Sequence, residues 1–117
     1  MQKPILSVKF FKTANGNEPV RTFLRELERS ERNIVGTDIK EVQFGWPIGM
    51  PLVRKMAPDL WEVRSTLEGR IVRTLFTVVA NEMVLLHIFI KKSQKTPKVD
   101  LDTAIRRLKQ LSGGSNG

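Results

Sequence analysis

The stretch DLWEVRSTLEGRIVRTLFTVVANEMVLLHIFIKKSQKTP, residues 59–97, decides the fold of this chain. Residues 60–65 alternate between apolar and polar side chains, which is typical of a strand with one solvent-facing side. A Glu-Gly pair then predicts a turn into a second strand, Arg70–Val79, which is rich in β-branched and aromatic residues. A third strand at 83–90 is apolar on both faces except for His87. The stretch therefore predicts three consecutive antiparallel strands, with the third in a central, covered position.

The segments on either side predict three helices and two further strands. Apolar residues recur with helical spacing in three places, and Pro19 suits the first position of a helix. Asp100 is placed to cap the last helix. The predicted strands are at 5–11 and 52–56, and the predicted helices at 19–29, 30–44 and 101–111. The predicted fold is a single α+β domain at 1–111, with a mostly antiparallel β-sheet, an N-terminal helical hairpin on one face, a C-terminal helix, and a flexible C-terminal tail at 112–117.

Composition points to an anionic partner. The chain carries 20 Lys and Arg against 12 Asp and Glu, a net charge of +8, and its isoelectric point is near 10.3. This balance favours either nucleic acid or an acidic protein that covers the same surface. There is no cysteine for a disulfide or a thiolate nucleophile, and a single histidine argues against a metal site, so no cofactor is expected. Neither a signal peptide nor a membrane span is recognisable, which predicts a cytoplasmic protein without a membrane partner.

Several cations are expected to meet on the predicted sheet. Arg64 lies on the polar face of its strand, Arg73 interrupts an apolar face of the next, and Lys91 follows the third strand. Since antiparallel neighbours lie about 5 Å apart, these side chains should come within a residue or two of one another. We expect a concave, positively charged floor, to which Arg54 and Lys55 of the preceding strand add charge. Each of these residues taken alone is also compatible with an ordinary solvated charge.

Four segments, LWEVRS, GRIVRTLF, LLHIFIKKSQKTP and AIRRL, resemble the phage-derived Gp49-like branch of the HigB family, within the RelE/ParE toxin superfamily. The resemblance runs from the VKFF segment near the N-terminus to the last helix, and KKSQKTP is its most specific part. It implies a small RelE-like toxin of a type II toxin–antitoxin system, encoded beside a helix-turn-helix antitoxin. Such a toxin enters the ribosomal A site and cleaves messenger RNA as an endoribonuclease. The resemblance implies a reaction without a metal, in which the 2′-hydroxyl of the RNA attacks the adjacent phosphorus.

The resemblance also implies site residues. Arg64 and Arg73 match the strand arginines of the family, and Lys91, Lys92 and Lys95 fall where its basic C-terminal residues lie. We therefore predict catalytic roles for Arg64, Arg73, Lys92 and Lys95, and RNA contacts for Arg54, Lys55, Phe89 and Lys91. Several relatives carry a tyrosine near the end of the sheet or the start of the last helix, whereas this chain has no tyrosine.

Because the tyrosine is missing, the resemblance does not identify the group that transfers the proton. Without tyrosine or cysteine, the groups available near neutral pH are His87, a carboxylate or a lysine. Neighbouring cations disfavour the charged form of a lysine and lower its pKa. Lys92 or Lys95 is therefore the preferred general base. His87 lies within an apolar strand, which favours a packed core position. Glu62 lies on the same face as Arg64, which favours an ion pair that orients the guanidinium.

Two further functions are compatible with the sequence. The chain could be a non-catalytic basic module that binds RNA, DNA or a partner protein, a reading favoured by the missing tyrosine, or it could be an RNase that needs no ribosome. Trp61 lies on the apolar side of its strand and is expected in the core. Arg106, Arg107 and Lys109 come late in the last predicted helix, where cations complement the negative end of the helix dipole.

Overall fold

The computed structural model describes residues 3–91 and 96–114, which form a five-stranded sheet and three helices. Along the chain the elements are β1 (Ser7–Phe10), α1 (Pro19–Glu26), α2 (Arg29–Gly45), β2 (Val53–Ala57), β3 (Leu60–Leu67), β4 (Arg70–Val79), β5 (Glu82–Lys91) and α3 (Lys98–Gly114). The strand order across the sheet is β1-β5-β4-β3-β2, and the pairings are antiparallel except for the parallel pair of β1 and β5. This single compact domain confirms the predicted α+β architecture and the central place of β5.

Two tight turns join the three long strands. In the turn between β3 and β4, Gly69 has a φ of +76°, a left-handed conformation that glycine adopts at little cost. In the turn between β4 and β5, Ala80 and Asn81 have φ values of +50° and +63°, the pair of positive values that a type I′ turn requires. Turns of this type match the right-handed twist of the strands, and they fix which residues of the hairpin lie opposite each other.

One face of the sheet packs against α1 and α2, as predicted for the two N-terminal helices. The main core forms here from apolar side chains of the sheet and both helices; those without exposed surface include Val20, Val35, Val42, Val63, Phe76 and Leu85. Complete burial of a side chain of this kind contributes about 1.5–3 kcal/mol. At the rim of this core, Arg70 of β4 forms a salt bridge with Glu31 of α2. The apolar side chains of β3 and the helically spaced apolar side chains of α1 and α2 therefore pack into one core.

The opposite face is covered by α3 and has a smaller core, which includes Leu60, Leu75, Leu86 and Ala104. The polar side of β3 belongs to this face. It was predicted to face solvent, and that prediction is wrong at Glu62, whose side chain has no exposed surface. A buried carboxylate is tolerated only with charged or hydrogen-bonding partners, so the residues around Glu62 need to supply them.

The last helix begins earlier and ends later than predicted. The carbonyl of Pro97 accepts hydrogen bonds from the backbone N–H groups of Asp100 at 3.1 Å and Leu101 at 3.0 Å. Asp100 therefore lies inside the first turn instead of capping the helix, and its side chain is available for another contact. α3 continues to Gly114, beyond Leu111, where the sequence puts the end of the domain. None of the described helices is both long and apolar enough to cross a membrane.

Candidate active site

Two arginines lie directly opposite each other in the middle of the sheet. Arg64 of β3 pairs in register with Arg73 of β4, so both side chains project from the face that carries α3. Directly opposite residues of antiparallel strands have Cβ atoms about 4.5–5.5 Å apart, and like charges there repel each other. The register confirms that the two predicted arginines are neighbours. Their repulsion must be offset by negative charge, either from the protein or from a ligand.

Glu62 provides negative charge from the protein. Arg73 donates from Nη1 to Oε1 of Glu62 at 2.6 Å, and neither side chain has exposed surface. Thr96 donates its hydroxyl to the other carboxylate oxygen, Oε2, also at 2.6 Å. Both oxygens of Glu62 are therefore bonded within the protein. The predicted ion pair between Glu62 and Arg64 is wrong. The carboxylate of Glu62 instead pairs with Arg73, which lies diagonally across from it on β4.

Arg64 is more exposed than Arg73, whose side chain has no exposed surface. The Arg64 side chain is half-buried, and its Nε atom is buried without a hydrogen-bond partner in the described parts of the chain. Leaving a buried donor unsatisfied costs about 1–3 kcal/mol, more when the group is charged. Glu62 balances only one charge of the arginine pair, and an anion bound at the half-buried Arg64 side chain would balance the other. Arg64 is therefore the better placed of the two to contact a phosphate.

His87 and Phe89 lie next to the arginine pair on β5. Phe89 is opposite Arg73 in the register, is 9% exposed, and stacks on the His87 ring with 5.7 Å between centroids. Nε2 of His87 is 2.7 Å from Oδ1 of Asp100, and Nδ1 is 3.4 Å from Nη1 of Arg107. A guanidinium can only donate, so this arrangement assigns the ring proton to Nε2.

The expected role of His87 as a packed core residue is therefore wrong. It is a polar link between β5 and α3, with 19% of its side chain exposed. Sequence reasoning placed Asp100 at a helix cap and did not connect it with His87. The available signal was a histidine alone on an apolar strand, followed by an aspartate at the start of the helix that covers that strand.

The remaining predicted RNA contacts fall in different places. Arg54 is exposed on β2 and lies opposite Glu62, on the face of the arginine pair. Lys55 lies on the other face, with its ammonium 5.9 Å from the Trp61 ring. Lys91 ends β5 and lies opposite Ile71, two residues beyond Phe89 on the same face. The structure therefore brings Arg54 and Lys91, but not Lys55, to the face of the arginine pair.

Two predicted catalytic residues, Lys92 and Lys95, lie outside the described residues. Sequence reasoning also missed Thr96, whose hydroxyl bonds Glu62. The sequence feature that could have indicated a role for Thr96 is its position directly before Pro97, at the end of the KKSQKTP segment and just before a helix. Because Thr96 is bonded to Glu62, the start of α3 is held close to the arginine pair.

Two structural expectations have different outcomes. Trp61 packs against the main core, with its ring 5.0 Å from Trp46 and 6.0 Å from Phe76, as predicted. The expected dipole role of the α3 cations is wrong, because the helix extends to Gly114 and its last turn contains no basic residue. Arg107 instead turns toward the sheet and donates to the carbonyl of Leu86 at 2.8 Å.

The comparisons with known proteins agree with the resemblance drawn from the sequence. The model of the family described as Phage derived protein Gp49-like (DUF891) matches residues 22–109, which include β2 to β5 and both of the arginines. A comparison with curated proteins finds no match. The match extends over most of the chain, and the family is associated with toxin nucleases. The chain therefore belongs to the phage-derived Gp49-like family, which is of the HigB/RelE-like toxin type.

Proposed function

We propose that this protein is the toxin of a type II toxin–antitoxin system, with a RelE-like fold, and that it cleaves messenger RNA in the ribosomal A site. Family membership supports the toxin role. The observation that carries the nuclease role is the pair of opposed arginines, in which Arg64 is half-buried and keeps a buried Nε donor without a partner in the described residues. Glu62 balances only one of the two guanidinium groups, so the pair still favours a negatively charged ligand, such as a phosphodiester.

In the proposed reaction, the 2′-hydroxyl of the RNA attacks the adjacent phosphorus, and the bond from phosphorus to the 5′ oxygen of the next nucleotide breaks. The pentacoordinate transition state carries more negative charge on its oxygens than the substrate does. Arg64 contacts these oxygens and stabilises the added charge, because its planar donors match phosphate geometry. The attacking hydroxyl must lose a proton and the leaving oxygen must gain one, so a proton carrier is needed beside the arginines.

The roles of the neighbouring residues follow from their contacts. Arg73 is bonded to Glu62 and has no exposed surface, so it acts as a positioning residue that supports the strand position of Arg64. Both oxygens of Glu62 are engaged, which makes Glu62 a poor general base. Lys92 and Lys95 remain the proposed proton carriers, and Arg54 and Lys91 the proposed contacts to neighbouring parts of the RNA.

The proposed partner is an antitoxin encoded by the adjacent gene. A protein of net charge +8 that cuts messengers in the cytoplasm must be held inactive in its own cell. An acidic surface on the antitoxin would cover the arginine pair, steer association and exclude RNA. Co-expression of the neighbouring helix-turn-helix gene is expected to bind the protein and restore growth, and a neighbour that does neither would remove this part of the proposal.

The decisive experiment is inducible expression in a bacterium, with growth followed and messenger ends mapped. Purified protein is then assayed on ribosomes programmed with messenger RNA and on the same RNA alone. We expect cleavage on ribosomes only, with strong loss in Arg64→Ala and normal activity in Arg25→Ala, an exposed arginine on α1. Cleavage of naked RNA would instead identify a ribosome-independent RNase. RNA binding without cleavage in either assay would leave a non-catalytic basic module.

A further inference from the structure

A second concentration of hydrogen-bond donors lies away from the arginine pair, where the turn after β1 meets the middle of α3. A cavity of about 290 Å³ opens there. The residues that line it are Phe11, Thr13, Ala14, Asn15, Arg106, Arg107 and Gln110. Two of them are arginines, three others carry an amide or a hydroxyl, and no carboxylate is among them. The lining is therefore suited to an anion and to no cation.

The two arginines of this cavity lack a described counter-ion. Neither Arg106 nor Arg107 forms a salt bridge within the described part of the chain, and the nearby carboxylate of Asp100 is bonded to His87. Burial lowers the pKa of Arg107, and the adjacent charge of Arg106 lowers it further. A partly buried guanidinium beside an exposed one, neither with a carboxylate partner in the described residues, would be stabilised by a bound anion.

Arg107 is held in place before any ligand arrives. Its Nη1 donates to the carbonyl of Leu86 at 2.8 Å, and its guanidinium lies 5.6 Å from the centre of the Phe11 ring. Its other donors have no hydrogen-bond partner among the described residues. A guanidinium fixed along one edge and available along the other loses little freedom when it binds an anion.

The turn on the other side of the cavity is also fixed. Thr13 donates its N–H to the carbonyl of Asn17 at 2.8 Å, and the N–H of Asn17 donates to the Thr13 hydroxyl oxygen at 3.1 Å. Gly16 closes the turn with a φ of +87°. The backbone N–H groups of Ala14 and Asn15 donate to no described carbonyl. Unused N–H groups in a tight turn are a common component of anion sites.

We propose that this cavity binds a phosphate of an RNA backbone and forms a second RNA contact, separate from the arginine pair. The proposal rests on the proposed function, because RNA is taken as the substrate. α3 connects the two places: Asp100 lies near its start beside His87, and Arg107 follows seven residues later, roughly 10 Å along the helix. Because His87 contacts both Asp100 and Arg107, an RNA strand that crosses the arginine pair and continues along α3 would reach the cavity.

The shape of the cavity favours a phosphate over the acidic side chains of a protein partner. Donors approach it from the helix and from the turn, so a tetrahedral anion with several oxygens can accept from both sides at once. A single carboxylate is planar and presents two oxygens on one edge. The contact would be sequence-independent, since it would involve the backbone of the RNA and no base edge.

The test measures RNA binding separately from cleavage. A labelled ten-nucleotide RNA with 2′-O-methyl groups lacks the attacking hydroxyl and cannot be cut, so fluorescence anisotropy reports affinity alone. Arg106→Gln and Gln110→Glu are the test variants. Lys109→Gln removes one positive charge from an exposed site on the same helix, and Asn33→Asp adds one negative charge at an exposed site on α2. These two are the matched controls.

Arg106→Gln and Gln110→Glu are expected to raise the Kd by about tenfold, because a hydrogen bond to a charged group is removed or opposed. The slope of log K against log salt concentration should decrease by roughly 0.7 for each phosphate of single-stranded RNA that the variant no longer binds. The controls should change the Kd less than about twofold. Equal changes in test and control variants would show that general charge is responsible and would overturn the proposal.

Two further measurements separate the alternatives. A ten-residue glutamate peptide is titrated against the same variants, and a loss of peptide binding as large as the loss of RNA binding would overturn the assignment to RNA. Cleavage on ribosomes is measured in parallel. Binding that depends on the cavity, in a protein that never cleaves, would support the cavity and remove the proposed nuclease. Normal cleavage with unchanged RNA binding in both test variants would overturn the cavity alone.

Discussion

The two faces of the sheet are stabilised in different ways. Under α1 and α2, the described core contains apolar side chains and a few hydroxyls but no fully buried charge. Under α3, apolar packing extends only part of the way across the sheet and gives way to Glu62 and Arg73, both without exposed surface. An apolar core tolerates exchange of one hydrophobic residue for another, whereas a buried charge depends on a particular partner. The first face therefore depends on apolar packing in general, whereas the second depends on particular charged partners, and it is on the second that the proposed site lies.

Removing the carboxylate of Glu62 tests the charged face most severely. Glu62→Ala leaves Arg73 buried without this partner, so the free energy of unfolding should fall by about 3–5 kcal/mol in urea denaturation. Glu26→Ala, an exposed glutamate on α1, is the control and should change stability by less than about 0.5 kcal/mol. The double variant Glu62→Leu, Arg73→Met should recover most of the loss. Equal stability of Glu62→Ala and the control would show that the pair does not hold this face together.

Arg64→Ala should separate function from stability on the same face. The cleavage rate on ribosomes should fall by about 10² to 10³, the usual result of removing a preorganised donor to a transition state. The melting temperature should be nearly unchanged, since the variant also removes a buried donor that has no described partner. Lys40→Ala, an exposed lysine on α2 across the sheet, should cleave at the normal rate. A destabilised Arg64→Ala variant with normal activity would show that Arg64 stabilises the fold and is not needed for cleavage.

The hydroxyl of Thr96 offers a milder test of the charged face. Thr96→Val keeps the shape of the side chain but leaves Oε2 of Glu62 without that donor, which should cost about 1–3 kcal/mol of stability. Thr96→Ser keeps the hydroxyl and should recover most of both stability and cleavage. The two variants are compared by denaturation and by the ribosome assay. Similar behaviour of Val and Ser at this position would mean that the hydroxyl bond to Glu62 is unimportant.

The smallest effect is expected on the face of α1 and α2. The hydroxyls of Thr74 and Ser65 are buried there without a hydrogen-bond partner in the described parts of the chain. Thr74→Val replaces such a hydroxyl with a methyl group of similar size and should raise stability by up to about 1 kcal/mol. Calorimetry should show a melting temperature higher by a few degrees. A clear loss of stability would indicate that this face depends on a polar contact after all.

The same contrast explains what the sequence could predict. The alternation in β3 correctly separates Trp61 and Val63 from Glu62 and Arg64, because side-chain direction along a strand is a local property. A two-residue turn pairs Leu67 with Arg70. Three residues farther from the turn on each strand, Arg64 lies opposite Arg73. The position of the arginine pair was therefore already contained in the local pattern.

The partners of these residues could not be predicted in the same way. The contact between His87 and Asp100 depends on where α3 crosses the sheet, and the bond from Thr96 to Glu62 depends on how the chain enters that helix. A register shift between Leu75 and Phe76 also changes which residues of β5 face α3. These are non-local features, and neither residue spacing nor side-chain type determines them. Burial of Glu62 followed from them and was missed for the same reason.

The parallel pairing of β1 with β5 has a consequence for the order in which the protein is made. Ser7 lies opposite Glu82 in the register, so the first strand cannot join the sheet until almost the whole sheet-forming part of the chain has been synthesised. Glu62 likewise gains its hydrogen bond from Thr96 only after residue 96 has been synthesised. Contacts between residues far apart in sequence form slowly, and domains generally fold as units once they are complete. We therefore expect the arginine pair to reach its final arrangement only near the end of translation; under the proposed function, an incomplete chain would then be unable to cleave the messenger that encodes it.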